Sequence, residues 1–424
     1  MKIKKLHITN LRAYTAATFE FQPGINLLVG INGVGKTTAL EALRVCLSQI
    51  QPELSVSRGR KENFELSDIK IGASTLQVSC DFEVENHDFN LLIHKQRETV
   101  KDNQHIGNVR DQATDTPDTV AFNPEIKAVF PYTEKETTQP LALFFSTRRS
   151  LMVDRNPGNS ASAGGQAVAF AEALSATREF NLRLFTDWLR SQQVLGEENP
   201  TLLKSIEVIK NAVYGFLPGF SNLQILEEDG KRTLSIDKDG TTLQINQLSD
   251  GERGVLSVVI DIARRLYQAN PGLEDPLTKG KAIILIDELD LHLHPKWQRS
   301  IVENLTRVFP NCQFIATTHS PQIIGEVKAE SITIIDNGIH KPASSYGVDS
   351  SRVLEEILDV SPRNKEVDTL LQSLNKALDE EKLDDAKDKI QKLIVILGPN
   401  SPEVTRSTTM LSFLEDDFED EADS

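Results

Sequence analysis

The sequence predicts an α/β fold with a central mixed sheet, an inserted mixed domain and a helical carboxyl-terminal region. The apolar run 25–29 ends in glycines, and a helical period begins after Thr37, which indicates a buried strand, a glycine-rich turn and a helix. Two further apolar runs, 282–286 and 312–316, flank a helical segment, as they do in a parallel sheet. Four amphipathic segments after residue 350 predict the helical carboxyl-terminal region.

Changes in pattern divide the chain into five segments. Helical periodicity occupies most of 172–217, a β-meander pattern follows from 223 to 245, and Asn337-Gly338 predicts a hairpin. In order, the segments are the first half of the α/β domain (1–95), an insertion that is irregular, then helical, then β (96–240), the second half of the α/β domain (241–345), a helical region (346–414) and an acidic, disordered tail (415–424).

The composition excludes several classes of protein. Of 424 residues, 39% are hydrophobic and 25% charged, which is a globular balance rather than a disordered one. The net charge of −16, with seven acidic residues after position 414, argues against a protein that coats nucleic acid unaided. No apolar run approaches the ~18 residues that span a bilayer. Three separated cysteines without CxxC spacing favour a cytoplasmic protein without structural zinc.

Residues 30–37 fit the pattern GxxxxGK[ST] of a phosphate-binding loop, between a predicted strand and a predicted helix. In such a loop the backbone N–H groups surround the β- and γ-phosphates, the lysine neutralises charge, and the hydroxyl ligates Mg²⁺. The alternative is a glycine-rich turn with an exposed lysine. The predicted nucleotide-binding residues are Asn32, Gly33, Val34, Gly35, Lys36, Thr37 and Thr38.

Asp287 and Glu288 follow the second apolar run, at the strand end where α/β sheets place their ligands. Hydrolysis of a nucleotide needs a metal ligand and an oriented water, so Asp287 is the candidate Mg²⁺ ligand and Glu288 the candidate general base. Alone, two acidic residues after a strand can also be a solvated strand end. Together with the phosphate loop, they predict an ATPase that uses ATP and Mg²⁺.

The order of the motifs resembles the ATP-binding-cassette type of ATPase, in the soluble branch that includes the RecF, SMC and Rad50 heads and the OLD-like defence ATPases. The stretch Leu248-Ser249-Asp250-Gly251-Glu252-Arg253 opens a helix and is similar to the signature of that family, and His319 follows the third apolar run. The resemblance implies that two heads meet head to tail. Ser249, Gly251 and Glu252 would then contact the γ-phosphate held by the other subunit, and His319 would be the switch histidine.

Two further stretches extend the resemblance. Arg12, within Asn10-Leu11-Arg12-Ala13-Tyr14, matches an arginine that often approaches the nucleotide, although a surface arginine is the equal alternative. Residues 290–298 look like the HLHPxWQ stretch of the OLD-like ATPases, and 345–349 with the following helices resemble the ATPase subunit of Septu-type antiphage systems. Spacing also allows Glu288, His292 and His294 to bind a metal, but a loop that contacts another subunit explains the same residues.

The resemblance implies an ATP-hydrolysing regulatory subunit of a prokaryotic antiphage complex, in a homo-oligomer that controls a partner nuclease of the HNH type. No sustained heptads separate the phosphate loop from the signature, and no nuclease motif stands out. A RecF-like repair ATPase, a transporter energy subunit and an ATP sensor with little hydrolysis are the alternatives. The signature argues against the transporter, since Asp250-Gly251-Glu252 replaces Gly-Gly-Gln.

Contact with nucleic acid, directly or through the complex, is left open by the sequence. Arg58, Arg60 and Lys61 form one basic cluster and Arg148 with Arg149 another, and either could follow a nucleic-acid backbone or be a solvated surface. Arg148, directly after the predicted strand 141–146, is the better candidate. For the glutamine that couples nucleotide to the insertion, Gln77 is the only suggestion.

Overall fold

A computed structural model describes residues 1–57, 59–97, 118–129, 139–150, 152–153, 166–198, 200–228, 231–336 and 338–422. The chain forms two compact units, Met1–Val348 and Asp349–Ser424. The strands are β1 (Lys2–Leu11), β2 (Tyr14–Glu20), β3 (Ile25–Val29), β4 (Thr75–Val84), β5 (His87–Gln96), β6 (Thr119–Asn123), β7 (Leu141–Phe145), β8 (Met152–Val153), β9 (Phe180–Asn181), β10 (Phe220–Glu228), β11 (Lys231–Lys238), β12 (Thr241–Gln244), β13 (Ala282–Ile286), β14 (Cys312–Thr318), β15 (Ile332–Ile335) and β16 (Ile339–His340). The helices are α1 (Lys36–Leu54), α2 (Ile126–Val129), α3 (Ala167–Phe170), α4 (Leu182–Glu198), α5 (Pro200–Phe216), α6 (Asp250–Ala269), α7 (Pro276–Lys279), α8 (Pro295–Val308), α9 (Pro321–Ile324), α10 (Ser350–Glu356), α11 (Lys365–Asp379), α12 (Leu383–Leu397) and α13 (Pro402–Ala422).

The central sheet has the strand order β16-β15-β3-β14-β13-β7. Its strands β15, β3, β14, β13 and β7 are parallel, and β16 closes the edge as an antiparallel hairpin with β15. Every residue of β7, β13 and β14 is buried, which explains why these strands are continuous apolar runs rather than alternating ones. The sequence predicted this mixed sheet correctly. Because the strands are parallel, the residues that follow β3, β13 and β14 meet at one edge.

A second, antiparallel sheet has the order β2-β1-β4-β5-β6. Helix α1 contacts strands of both sheets, and 15 of its 19 residues are buried, so it packs between the sheets and needs apolar or satisfied side chains on every face. Among its buried polar residues, Arg44 donates from its guanidinium to Glu41 and to the Leu174 carbonyl. The helix that begins at the phosphate loop is therefore packed on both sides along its length.

The insertion predicted for 96–240 is not one separate domain. Within it, β6 pairs with β5 in the antiparallel sheet, and β7 is the edge strand of the central sheet. The apolar run of β7 needs a sheet to bury it, and the sequence pattern alone did not indicate which sheet. Residues 98–117, 130–138 and 154–165, which include most of the expected irregular stretch, lie outside the described residues.

The second half of the insertion is helical and then β, as the sequence predicted. The helices begin at Leu182 and Pro200, later than the periodicity from 172 suggested, because 171–179 forms turns against the edge of β7, where the Phe144 N–H donates to the Ala173 carbonyl at 2.9 Å. The strands β10, β11 and β12 form an antiparallel meander. Asp229 and Gly230, at the predicted first turn, lie outside the described residues.

The unit Asp349–Ser424 contains α10 to α13, which confirms the four predicted helices. Its core combines residues from α11, α12 and α13, among them Leu374, Leu393 and Leu411. Helix α12 ends at Gly398, whose φ of 88° is left-handed. Helix α13 is assigned from Pro402 to Ala422, extending into the stretch 415–424 that was expected to be a disordered acidic tail, and Glu415 pairs with Lys387 of α12 at 2.5 Å. Within the described residues, no helix is both long and apolar enough to cross a membrane.

Candidate functional site

The phosphate-binding loop joins β3 to α1, as the sequence predicted. Gly35, at the N-cap of α1, has a φ of 108°, and a Cβ atom on it would lie 2.6 Å from the Tyr14 hydroxyl oxygen. A Cβ atom on Gly30 would lie 2.2 Å from the Ile335 carbonyl oxygen. Side chains are therefore excluded at both positions, and the backbone of the loop runs tightly against β15 and β2.

Lys36 lies within the curve of this loop. Its ammonium donates to the carbonyl oxygens of Gly30 at 2.9 Å and Ile31 at 2.8 Å. Burial lowers the pKa of Lys36, while the charges of Asp287 and Glu288 oppose that shift. The ammonium is therefore positioned by the loop itself, near the acidic residues that follow β13.

Asp287 follows β13 and is tied to the phosphate loop and to β14. The Thr37 hydroxyl lies 3.3 and 3.4 Å from the two Asp287 carboxylate oxygens, and the Thr317 hydroxyl donates to Asp287 Oδ1 at 2.8 Å. A hydroxyl and a carboxylate oxygen at this separation are the hard oxygen ligands that Mg²⁺ uses next to nucleotide phosphates. The donor set at Thr37 and Asp287 thus fits the Mg²⁺ site predicted from sequence.

Glu288 occupies a left-handed backbone conformation, with a φ of 51°. Its N–H donates to Thr317 Oγ1 at 2.7 Å, and its carbonyl accepts from the Leu291 N–H at 2.8 Å and from the Arg149 guanidinium. These contacts fix the backbone at the residue predicted to be the general base. The half-buried Glu288 also acts electrostatically on Lys36 and His319, which places its carboxylate in the same site.

His319 follows β14 at the same edge of the sheet. Its pKa is lowered by burial and then by the positive charge of Lys36, so the imidazole is neutral near pH 7. Its backbone N–H donates to Asp290 Oδ1 at 3.3 Å, and the Thr318 hydroxyl donates to the same oxygen at 2.6 Å. The structure therefore brings Lys36, Thr37, Asp287, Glu288 and His319 together, as the motifs implied.

The signature residues form a separate cluster at the start of α6. Ser249 is the N-cap, and its N–H and hydroxyl both donate to Glu252 Oε2, at 2.9 and 2.8 Å. The other carboxylate oxygen of Glu252 accepts from Lys238 at 2.7 Å, although burial alone would disfavour the charged form. These hydrogen bonds stay within the turn and β11, and they cap the N-terminus of a 20-residue helix.

Arg12 does not reach the phosphate loop in this structure. Its guanidinium pairs with Asp68 at 2.8 Å, and its N–H donates to the Asp68 carbonyl. The residue of that stretch which touches the loop is Tyr14, against Gly35. The Tyr14 hydroxyl is buried without a hydrogen-bond partner among the described residues, and burial raises its pKa to about 12.

The HLHPxWQ stretch forms the connection between β13 and α8. His294 is the N-cap of α8 and accepts from the Lys296 N–H at 3.2 Å, and Pro295 occupies the first helical turn. Gln298 donates to the Leu293 carbonyl at 2.9 Å and accepts from the Ser320 hydroxyl at 2.8 Å. In the part of the chain that the structure describes, no three His, Cys, Asp or Glu residues are grouped closely enough to hold a metal ion.

The remaining sequence candidates lie elsewhere. Gln77 is an exposed residue of β4, paired with Thr9 and His94 in the antiparallel sheet. Arg58 lies outside the described residues, and Lys61 pairs with Glu53 at 3.0 Å. Arg149, which was considered for a nucleic-acid path, is instead buried against the strand that carries Asp287.

Comparisons with known proteins identify sequence relatives and structural neighbours of this chain. The chain is 28% identical to "Retron Ec83 probable ATPase" of Escherichia coli, over 86% of this chain and 78% of that one. It is 23% identical to "Septu protein PtuA" of Bacillus thuringiensis, over 94% and 95%. A solved SMC head bound to the C-winged helix domain of ScpA has 13% identity and a TM-score of 0.48, over 80% of this chain and 98% of that one.

Residues 25–325, from the strand before the phosphate loop to the turn after His319, match the family model described as "AAA domain, putative AbiEii toxin, Type IV TA system". This match includes the strand β3, the helix α6 and the acidic residues Asp287 and Glu288. The chain therefore belongs to this family of AAA-domain ATPases.

Proposed function

We propose that this chain is the ATP-hydrolysing regulatory subunit of a prokaryotic antiphage complex, and that its nucleotide state controls a separate nuclease subunit. The observation that supports ATP hydrolysis lies at one edge of the central sheet. There, Thr37, Asp287 and Thr317 are joined by hydrogen bonds. Lys36 and Glu288 lie beside them. The same edge of a parallel sheet is where α/β proteins bind their ligands.

At this site ATP is the substrate, and each residue has a role in its hydrolysis. The loop 30–37 and Lys36 bind the phosphates, and Thr37 with Asp287 would hold Mg²⁺, which neutralises charge on the transferred phosphoryl group. The Glu288 carboxylate orients the attacking water and accepts its proton. Neutral His319 contacts the γ-phosphate by hydrogen bonding, without adding charge near Lys36.

The signature cluster acts on the nucleotide of a second copy. Ser249, Gly251 and Glu252 lie at the N-terminus of α6, where the helix dipole favours an anion. In the head-to-tail arrangement that the resemblance implies, this N-terminus completes the site of the other subunit around the γ-phosphate. Hydrolysis in one copy is thus coupled to association with another.

The control of a nuclease is supported by the relatives and by the sequence. One relative is named as a Septu protein, and the stretch 345–349 resembles the Septu ATPase subunit. No nuclease motif stands out in the chain itself, so the effector is a partner chain. The complex is proposed to work in the cytoplasm, and any contact with nucleic acid is made through the complex.

The test is affinity purification of tagged protein from its native cells, for wild type, Lys36→Ala and Glu288→Gln. ATP hydrolysis, ATP binding, the proteins in the eluate and its nuclease activity are measured together. We expect Glu288→Gln to retain ATP and to lose hydrolysis by about 10²–10⁴-fold, since a general base contributes that much. Lys36→Ala is expected to lose binding of the nucleotide.

Two outcomes would contradict the proposal in different ways. If purified wild-type protein turns over no ATP while it binds ATP, the chain is a sensor and not an enzyme. If no nuclease co-purifies, and a homo-oligomer binds duplex DNA in an ATP- and salt-dependent way, the chain is a DNA-repair ATPase instead. A co-purifying nuclease that responds to ATP only with active wild-type chain supports the proposal.

A further inference from the structure

Arg149 contacts the backbone of both acidic residues of the site. It lies in the turn Thr147–Ser150 directly after β7, the strand beside β13, and it is only 7% exposed. Its guanidinium donates from Nη1 to the Asp287 carbonyl and from Nη2 to the Glu288 carbonyl. One side chain thus holds two consecutive peptide groups with the planar fork that is particular to arginine.

Within the described part of the chain, the charge of Arg149 is not paired directly with a carboxylate. Among the described residues its guanidinium donates to carbonyl oxygens, of Ser146, Asp287 and Glu288, and the nearby carboxylates act on it only through space. Burial lowers its pKa to about 10, so it is still protonated at neutral pH. A buried cation without a bonded carboxylate is costly, so stability alone does not account for an arginine here.

The backbone carbonyl of Arg149 is hydrogen-bonded to the signature helix α6. The Ser257 hydroxyl, two turns along α6 from the N-cap Ser249, donates to the Arg149 carbonyl at 2.8 Å. An apolar cavity of about 20 Å³ lies where Arg149 meets α6 and the residues after Glu288, among them Val258 and Leu291. Helix α6 is thus connected to the Asp287–Glu288 backbone through one residue, beside a small unfilled space.

The backbone of Glu288 needs such support. A left-handed conformation costs a residue with a side chain roughly 1–2 kcal/mol, and it persists only where surrounding contacts impose it. The contacts at Glu288 are the Thr317 hydroxyl on its N–H and, on its carbonyl, the Leu291 N–H and Arg149. Of these three residues, as far as the structure describes the chain, only Arg149 accepts a hydrogen bond from α6 on its own backbone.

We propose that Arg149 is a positioning residue that couples the signature helix α6 to the general base, by holding the Asp287 and Glu288 carbonyls according to the position of α6. A second copy that engages the N-terminus of α6 would thereby set the Glu288 carboxylate for hydrolysis. The inference rests on the proposed ATPase function, and it adds to it a route from the dimer contact to the catalytic water.

The test compares Arg149→Lys with Arg44→Lys in the full-length chain. Both arginines are buried and donate to backbone carbonyls, but Arg44 holds Leu174 and does not contact the acidic pair. Lysine keeps the positive charge but lacks the planar guanidinium group that can donate to two carbonyls at once. We expect Arg149→Lys to lower kcat by about 10–100-fold, the usual effect of disturbing a supporting partner, with KM for ATP within about threefold of wild type. Arg44→Lys should leave kcat near wild type.

A second variant and a second measurement test the inference even if the wild-type protein shows no ATP hydrolysis. Ser257→Ala removes the hydroxyl that links Arg149 to α6 and also lies 2.9 Å from the Gly254 carbonyl within the helix, and it is expected to lower kcat, with Ser257→Thr restoring it. Hydrogen exchange of the amides from Leu289 to Leu293 should speed up in Arg149→Lys and not in Arg44→Lys, even if wild-type protein hydrolyses no ATP. Unchanged exchange, or equal losses of kcat, ATP affinity and thermal stability in both arginine variants, would overturn the role of Arg149.

Discussion

Gly251 of the signature turn packs directly against the His292 carbonyl oxygen. A Cβ atom on Gly251 would lie 2.2 Å from that oxygen, well inside contact distance. His292 itself has a left-handed φ of 59°, within the connection that follows the acidic pair. The start of α6 and the HLHPxWQ stretch therefore form one surface within a single chain, and any movement of one displaces the other.

The substitution Gly251→Ala tests this contact. Because the opposing atom belongs to the backbone, the loop must shift, and we expect a loss of about 1–3 kcal/mol in the free energy of unfolding together with reduced ATP turnover. Urea denaturation and steady-state ATPase assays measure the two effects. Gly338→Ala is the matched control, since a Cβ atom there has no neighbour within 4 Å. Equal stability of the two variants would show that the contact at Gly251 is loose.

The Thr317 hydroxyl joins the two acidic residues, and its removal is the second prediction. It donates to Asp287 Oδ1 and accepts from the Glu288 N–H, and it is 1% exposed, so Thr317→Val leaves both groups without that partner. We expect kcat to fall by about 10–100-fold, and the Mg²⁺ concentration that gives half-maximal ATPase activity to rise. Thr333→Val, at a buried threonine of β15, is the control. A wild-type Mg²⁺ dependence in Thr317→Val would argue against Asp287 as the metal ligand.

Much of the fold followed from local sequence patterns. The strands β3, β13 and β14 are continuous apolar runs, which is the pattern of strands buried on both faces. Their burial could therefore be predicted without knowing which distant residues they contact. The membership of β7 was different, since its five apolar residues fit any buried strand, and only pairing with β13 assigns it to the central sheet. Likewise, the pairing of Glu415 with Lys387 joins α13 to α12, and a local charge count does not reveal such a contact.

The site also contains some residues whose positions the sequence predicts and others whose positions it does not. Lys36, Thr37, Asp287 and Glu288 were predictable because fixed spacing around a strand end determines where they lie. Arg149 was not, because an arginine beside another arginine has the same local pattern whether it is solvated or buried. Its partners are backbone carbonyls about 138 residues away, and carbonyls carry no sequence signal. Arg12 shows the converse, since its motif suggested the nucleotide while its guanidinium pairs with Asp68.

The buried carboxylate of Asp261 provides the third prediction. It accepts from Arg178, Arg264 and Arg265 at 2.6 to 3.0 Å. Burial by itself would raise its pKa, but the charges of these arginines outweigh burial and hold the pKa well below its usual range. Asp261→Asn leaves buried guanidinium groups without their counterion, so we expect a loss of about 3–5 kcal/mol in the free energy of unfolding.

Chemical denaturation of Asp261→Asn at pH 5 and at pH 7 measures this loss. A carboxylate whose folded pKa is depressed contributes its stability above the unfolded pKa of about 3.9, and loses it only as the pH falls through the folded value. The difference from wild type should therefore be the same at both pH values. Asp237→Asn, at a carboxylate of β11 bonded to Thr242, is the control and should cost far less. A large loss for both would point to a general sensitivity of the chain.

The ionisation of His319 is the fourth prediction, and it tests the proximity of the phosphate loop to the end of β14. Burial and the charge of Lys36 both lower its pKa below 6.5, so wild-type His319 should titrate below that value, and Lys36→Ala should raise its pKa. Between the two pKa values the unfolded chain binds more protons, so the contribution of His319 to stability is present above pH 6.5 and declines below it. NMR titration of labelled histidine, assigned with His319→Gln, measures the pKa. An unchanged value in Lys36→Ala would place the ammonium too far from the imidazole to act with it on one phosphate.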